Sequence, residues 1–342
     1  MIDTVKIFTM ISKNVFDLIS NNSLVKIGFH SGTNEVYYKI VNDKLEGSYS
    51  SSLSVRVGEG VKYKFIDMYY IEIEGSYHKI IRGYNSHDGF YNLSFVCQNL
   101  IKLVEEYYNI KLPSLQHWFL QRCDIAIVFD LNNNTNVRNY INNLSQCNFP
   151  RRNLKSYQDE SIYLTGTTTT LKVYNKRLEF EKHDLKKMLD FDFDINTYLN
   201  DIDGFIRFEC EIKKKKLKDI YKTSYVRVRN VRYLDLREVW KVEFMKLIKM
   251  FDNDLNIVRD REEIKRRLYA FYIEKKAFRL YNFYSMIVLN GVQAVKDMTN
   301  SSTFYRNIAD LKAVGIDVNQ RYEVNLVDNY VSFNPFTAQE VV

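Results

Sequence analysis

The chain has 342 residues, 46% of them hydrophobic, and a formal net charge of +7 from 49 basic and 42 acidic side chains. That length sets a soft prior of about two domains with a sizeable core, and no uninterrupted apolar run approaches the roughly 20 residues a membrane helix needs. The opening MIDTVKIFTM has no basic region leading into a long apolar stretch, so it does not read as a secretory signal, and the basic balance is compatible with a polyanionic partner.

Along the first half, VKIFTM, LVKIGF, EVYYKIV, SLSVRV, KYKFIDMYYIEIE, RCDIAIVFDL and ESIYLTG alternate apolar and polar residues, as half-buried strands do. Turn chemistry in HSGTN and VNDKLEGS separates some of them. Two helices interrupt the strands. One is FYNLSFVCQNLIKLVEEYYN; the other, NTNVRNYINNLSQ, follows the polar run Asn132–Asn134 and takes Thr135 or Asn136 as its cap. LKVYNK is a further strand, RLEFEKHDLKKML the helix after it, and FIRFECEI the last clear strand.

Beyond FIRFECEI the character changes. KKKKLKDI is a basic run, and YVRVRNVRYL is either a strand or an irregular link. From Asp235 the spacing is helical, through LREVWKVEFMKLIKMF, the long REEIKRRLYAFYIEKKAFRLYNFYSMIVLN, VQAVKDM and TFYRNIADLKAVG. The expected fold class is therefore α+β: an antiparallel sheet domain with inserted helices over residues 1–224, then a mainly helical domain over 225–342. Cys97, Cys123, Cys147 and Cys210 are far apart with no C-x-x-C pair, so they read as free thiols in a reducing cytosol, not as a zinc site.

Side chains alternate across a strand, so residues two apart share a face. In YYIEIE, Glu72 and Glu74 oppose Ile71 and Ile73; in CDIAIVFD, Asp124 opposes Ile125 and Ile127. In FIRFECEI, Arg207, Glu209 and Glu211 oppose Ile206, Phe208 and Cys210, and in LKVYNK, Tyr174 and Lys176 oppose Leu171 and Val173. One reading is the wet side of an antiparallel sheet. The other is a cluster of carboxylates, which repel unless a cation neutralises them and which as hard oxygen donors suit Mg²⁺ or Mn²⁺. Beside such a metal, a tyrosine with a cationic neighbour is a candidate nucleophile toward a phosphodiester. Periodicity alone does not choose Tyr174 over Tyr157, Tyr163 or Tyr70 among 26 tyrosines.

At these residues the sequence resembles the gene II/gene X replication initiators of filamentous phages and related plasmids. The resemblance is carried by MIDTVKI, IEIEGSYHKIIRGYN, QRCDIAIVFD, TLKVYNKRLEFEKHD, GFIRFECEIKKKKLK, LREVWKVEFMKLIKMF and FYRNIADLKAVGI, in that order. It implies a rolling-circle initiator that nicks one strand of a double-stranded origin through a tyrosine. The products are a 5′-phosphotyrosine and a free 3′-hydroxyl primer, and the displaced strand is later rejoined. On this sequence the nucleophile corresponds to Tyr174, its lysine to Lys176, and the acids of the matching strands to Glu72, Asp124 and Glu209, here taken as ligands of Mg²⁺ or Mn²⁺. Partners implied are origin DNA, the displaced strand, and a host helicase and polymerase, in the cytoplasm and without a membrane. The wider rolling-circle superfamily often uses a His-hydrophobe-His pair; the five histidines (His30, His78, His87, His117, His183) show no such spacing, and Gly83-Tyr84-Asn85 stands where close members tend to have Gly-His-Asn. His78 and His87 are the candidate replacements.

For DNA contact, VQAVKDM, TNSS and TFYRNIADLKAVGI read as helix, turn and helix, with Ser301 or Ser302 as cap and Thr303, Tyr305 and Arg306 toward the bases. An ordinary helical hairpin is the equal alternative. Lys213, Lys214, Lys215, Lys216, Lys218, Arg227, Arg229 and Arg232 are placed to meet phosphates. Two further readings remain: an origin- or single-strand-binding protein without chemistry, and a nuclease using metal-activated water.

Overall fold

The computed structural model describes residues 1–21, 25–29, 36–46, 52–59, 68–145, 149, 151–189, 193–255, 261–290, 292–316, 318 and 333–341. His30, Cys147 and the HSGTN turn lie outside the described residues.

Among the described residues, eleven strands form one sheet: β1 (Ile2–Ile11), β2 (Val25–Phe29), β3 (Val36–Glu46), β4 (Ser52–Glu59), β5 (Tyr69–Gly75), β6 (Phe119–Asp130), β7 (Asn153–Tyr157), β8 (Ser161–Thr165), β9 (Thr169–Asn175), β10 (Phe205–Lys213) and the short β11 (Val226–Arg227). Their order is β2-β3-β4-β5-β1-β6-β10-β9-β8-β7, with β11 beside β6. Each pairing is antiparallel. The first strand of the chain thus lies in the middle of the sheet, between β5 and β6.

The alternation read from the sequence sets which face is buried in the main core. Val5 and Ile7, Ile71 and Ile73, Ile125 and Ile127, Ile206 and Phe208, Leu171 and Val173, and Ile162 and Leu164 all belong to one apolar core. Helices α1 (Lys13–Asn21), α3 (Leu93–Tyr108), α4 (Asn134–Ser145) and α9 (Tyr233–Leu255) supply Phe16, Leu100, Tyr140 and Trp240 to the same core. Trp240 Nε1 also donates to Phe208 O at 3.0 Å, which fixes α9 against β10. Residues 333–341 return to this core: Phe333 packs on Phe129 and Tyr140, and Val341 N donates to Val128 O.

The opposite face is bordered by α2 (Tyr77–Arg82), α5 (Lys176–His183), α6 (Leu185–Met188) and α7 (Ile195–Asp201). The last three close a small core of Phe180, Met188, Tyr198 and Ile202, against which Tyr84 packs. α8 (Lys214–Tyr221) follows β10 directly. α10 (Arg261–Phe271), α11 (Glu274–Asn290), α12 (Val292–Met298) and α13 (Ser301–Ala313) bury a separate core that includes Leu268, Phe283, Val295, Phe304 and Leu311. The α+β class, with an antiparallel sheet followed by a mainly helical region, is the observed architecture.

Several local expectations differ. VNDKLE, read as a turn, continues β3, because its ladder with β4 runs unbroken from Ile40 to Glu46 and pairing overrides the turn residues. The long helix expected over 261–290 is two helices, broken at Tyr272, whose hydroxyl donates to Asp310 O at 2.9 Å. The cap of α4 is Asn133, which accepts from Asn136 N at 2.8 Å, and that of α13 is Asn300, which accepts from Ser302 N at 3.0 Å. YVRVRNVRYL is a two-residue strand and a 3₁₀ turn. Three short elements were not read from the sequence: α1, α2 and β7.

Candidate active site

The site lies where β1, β6, β10 and β9 run side by side. β10 pairs with β6 so that Glu211 opposes Asp124, and with β9 so that Arg207 opposes Tyr174 and Glu209 opposes Lys172. These side chains share the face turned away from the main core, as alternation requires.

Asp3 joins them through a bulge. From Ile2↔Ile125 to Val5↔Cys123, β1 advances three residues while β6 advances two. The extra residue breaks the alternation, so Ile2 and Val5 both enter the core and Asp3 turns to the acid face. One carboxylate oxygen each from Asp3, Asp124 and Glu209 then lie within 4.8 Å of one another, and all three residues are buried.

Three cations face this group. Arg122 donates to Asp124 from Nε at 2.8 Å and from Nη2 at 2.5 Å, and its Nη1 reaches Glu74 at 3.0 Å. Lys172 donates to Glu209 Oε1 at 2.5 Å and lies 3.9 Å from Asp124. Arg207, fully buried, lies 3.1 Å from Asp3 and 3.9 Å from Glu209, and donates to Ser86 O at 3.0 Å. Burial pushes the Asp3 carboxyl up, but Arg207 and then His78 outweigh it and hold it well below the usual range. For Asp124 burial wins over the hydrogen bonds from Arg122, and its carboxyl is pushed up to about 8. Asp124 is therefore the acid that a further positive charge would stabilise most. The all-oxygen donor set fits a hard divalent cation such as Mg²⁺ or Mn²⁺.

Tyr174 stands at the edge of this network, 7% exposed. Its hydroxyl donates to Glu209 Oε2 at 3.2 Å and accepts from Asn85 Nδ2 at 3.2 Å. The Arg207 guanidinium lies 5.9 Å from its ring centre. Burial raises its pKa well above the ordinary phenol value; Arg207 opposes this, and Glu209 and Glu179 add to it. The phenol is thus neutral at pH 7 and already directed at a carboxylate. It lines a cleft of about 600 Å³ with Lys79, Tyr157, Tyr163, Lys172, Lys182, Lys187 and Glu209 among the walls.

Asn85 reaches the hydroxyl because α2 ends at Gly83, whose φ of +84° suits glycine and turns the chain back toward the sheet. Asn85 Nδ2 also donates to Glu179 Oε1 at 3.3 Å, and its backbone N–H to Asp184. His78 of α2 is buried, with Nε2 at 3.4 Å from Asp3 and 3.3 Å from Asn85 Oδ1. Both neighbours of Nε2 are oxygen acceptors, so the proton of the neutral ring belongs there. Burial, the largest cause, lowers the His78 pKa to about 4, against the pull of Asp3. His87, by contrast, packs edge-on against Phe205, and Tyr84, in the position expected for histidine, is an aromatic member of the α5–α7 core.

Lys176 is not on the strand. β9 ends at Asn175, whose side chain caps α5 by accepting from Leu178 N at 3.1 Å, and Lys176 is the first residue of that helix. Its buried ammonium holds Glu179 at 2.8 Å and so reaches Tyr174 only through Glu179 and Asn85. Lys172, two residues before Tyr174, is the lysine that shares its strand face. Glu72 is not in the carboxylate group: on β5 it opposes Phe8 and lies 4.0 Å from Arg56.

The residues expected to meet DNA fall in two places. Lys213 donates to Gly166 O at 2.8 Å, Lys214 sits over Tyr225, and Arg227 sits over Phe119 while donating to Gln116 O. Arg229 is exposed. On α13, Tyr305 and Arg306 are exposed, with Lys296 over the Tyr305 ring, and Thr303 is half-buried. Among the described residues no helix is long and apolar enough to cross a membrane, and Cys97, Cys123 and Cys210 are free and buried.

Residues 1–240 match the N-terminal family of the phage gene II replication-associated protein, and residues 272–334 match the C-terminal family of the same protein. No curated protein matches the chain. With the first match covering well over half of the sequence and the second following it in order, the chain belongs to the phage gene II replication-associated protein family.

Proposed function

We propose that this protein starts rolling-circle DNA replication by nicking one strand of a double-stranded origin with Tyr174 and later rejoining the displaced strand. The observation that carries the reading is the Tyr174 hydroxyl, which faces a cleft with its proton directed at Glu209 Oε2, 3.2 Å away. That distance is within reach for general-base transfer. In the step proposed, the phenolic oxygen bonds to phosphorus, its proton passes to Glu209, and the bond from phosphorus to the 3′ oxygen breaks. The 3′ oxygen takes a proton from water and serves as primer. The phosphotyrosine keeps the phosphodiester energy for rejoining, when a 3′-hydroxyl attacks it and Tyr174 is released.

Mg²⁺ or Mn²⁺ held by Asp3, Asp124 and Glu209 would polarise the phosphate and offset charge on its oxygens. Asn85 orients the Tyr174 hydroxyl, and Lys176 positions Asn85 through Glu179. Lys213, Lys214, Arg227 and Arg229 are assigned to phosphates, and α12–α13 to the origin duplex through Thr303, Tyr305 and Arg306. A host helicase and polymerase would act on the nicked product. The test is incubation with supercoiled plasmid carrying the native replicon and Mg²⁺ or Mn²⁺. Nicked circles with protein attached at the 5′ end are expected; nicking without attachment would instead indicate attack by water, and no nicking a binding protein.

A further inference from the structure

The cleft at Tyr174 is open on the side of the sheet's terminal hairpin. β9, β8 and β7 succeed one another to the edge, and their registers carry the site face outward in two rows. Tyr174 opposes Ser161, which opposes Tyr157; Lys172 opposes Tyr163, which opposes Lys155. Two strand spacings, about 10 Å, separate the Tyr174 row from the Tyr157 row. The hairpin's other face is apolar and buried, with Ile162 and Leu164 in the core, so the row of tyrosines is held on a rigid floor.

Tyr157 is 52% exposed on the last strand of the sheet, and its ring meets Tyr163 edge-on with centroids 5.5 Å apart. A half-exposed aromatic on a free edge strand invites aggregation unless something covers it. Both rings line the cleft that reaches Tyr174, and Lys182 and Lys187 stand on its α5–α6 side. At about 600 Å³ the cleft is on the scale of a small-ligand site; it admits part of an unpaired strand and excludes a duplex.

The geometry points to a base-stacking shelf: Tyr157 and Tyr163 hold the bases next to the attacked phosphate of a single DNA strand, while the lysines meet its backbone. This rests on the proposed nicking reaction and names what positions its substrate. Stacking on an aromatic ring tolerates any base, because every base has a π-face. The shelf would therefore fix the distance of the strand from Tyr174 and leave sequence choice to other contacts. Tyr157 and Tyr163 are positioning residues in this account.

The test uses the full chain carrying Tyr174→Phe, so that no covalent step enters the measurement. Binding of a labelled oligothymidylate of about 12 nucleotides is compared with binding of an abasic strand of equal length, by anisotropy at fixed salt. Adding Tyr157→Ala is expected to weaken oligothymidylate binding about 5- to 100-fold, as loss of one stacked base does. Tyr157→Phe should restore it, and the abasic strand should bind all three proteins alike. Unchanged oligothymidylate binding on Tyr157→Ala overturns the shelf, as does equal weakening toward the abasic strand. Failure of Tyr174 as nucleophile would show separately, as a missing adduct in protein that still has Tyr174.

Discussion

Replacing Arg207 with methionine should be the most destabilising single change at the site face. Arg207 is fully buried between Asp3 at 3.1 Å and Glu209 at 3.9 Å, and it holds Ser86 O at 3.0 Å. Methionine fills much of the same volume without the charge. At an effective dielectric near 20, a unit charge pair at 3.1 Å is worth about 5 kcal/mol, and removing one partner of a buried pair typically costs about 3–5 kcal/mol because the other is left uncompensated. Denaturant unfolding at pH 7 should therefore show Arg207→Met less stable by about 3–5 kcal/mol with an unchanged slope. The same measurement on Asp3→Asn and on the double variant completes a cycle, in which the double should be more stable than the sum by about 1 kcal/mol or more. An Arg207→Met protein within about 1 kcal/mol of the parent, or strict additivity in the cycle, would refute the claim that this ion network holds the site together.

Three other outcomes are expected. Glu209→Gln removes the charged acceptor of the Tyr174 proton and should slow adduct formation by about 10²–10⁴-fold; a rate within threefold of the parent would remove Glu209 from the step. His78, with a folded pKa of about 4 against roughly 6.5 unfolded, binds its proton only in the unfolded chain between those values. Stability should accordingly rise with pH through that window and be lost as pH falls from about 6.5 toward 4, by roughly 3 kcal/mol in all; His78→Gln should flatten that slope in unfolding series at several pH values, and an unchanged slope would contradict the assignment. Origin binding should fall steeply with salt, and Lys214→Ala with Arg227→Ala should lower the log–log slope by about 0.9 for each phosphate no longer neutralised, whereas a slope equal to the parent's would place both residues away from DNA.

The sheet and its two faces were legible in the sequence because alternation is a local property. Ile71, Ile125, Ile206 and Val173 enter the core, and Asp124, Glu209 and Tyr174 gather on the other face, as period two requires. Asp3 was not legible: simple alternation puts it with Val5 and Ile7, and the bulge that turns it arises from pairing with β6, a strand more than a hundred residues away. Lys176 was misplaced by extending the same alternation one residue too far, past the Asn175 cap that starts α5. Lys172 carried the right signal, two positions before Tyr174 on the same strand. Asn85 and His78 act from a short helix and its glycine cap, and no periodicity in six residues could place them over the end of the sheet. Glu72 has the same local pattern as Glu209, and only the strand order separates them, with β1 and β6 between β5 and β10.

The central claim is that Tyr174 forms a covalent bond to DNA. The direct measurement is incubation of the protein with end-labelled native origin DNA and Mg²⁺ or Mn²⁺, followed by denaturing electrophoresis and peptide mapping of the protein–DNA adduct. A nucleotide attached to the peptide that contains Tyr174, absent from Tyr174→Phe protein of unchanged fold and origin affinity, is the expected result. An adduct that persists in Tyr174→Phe, or that maps to another residue, would contradict the account.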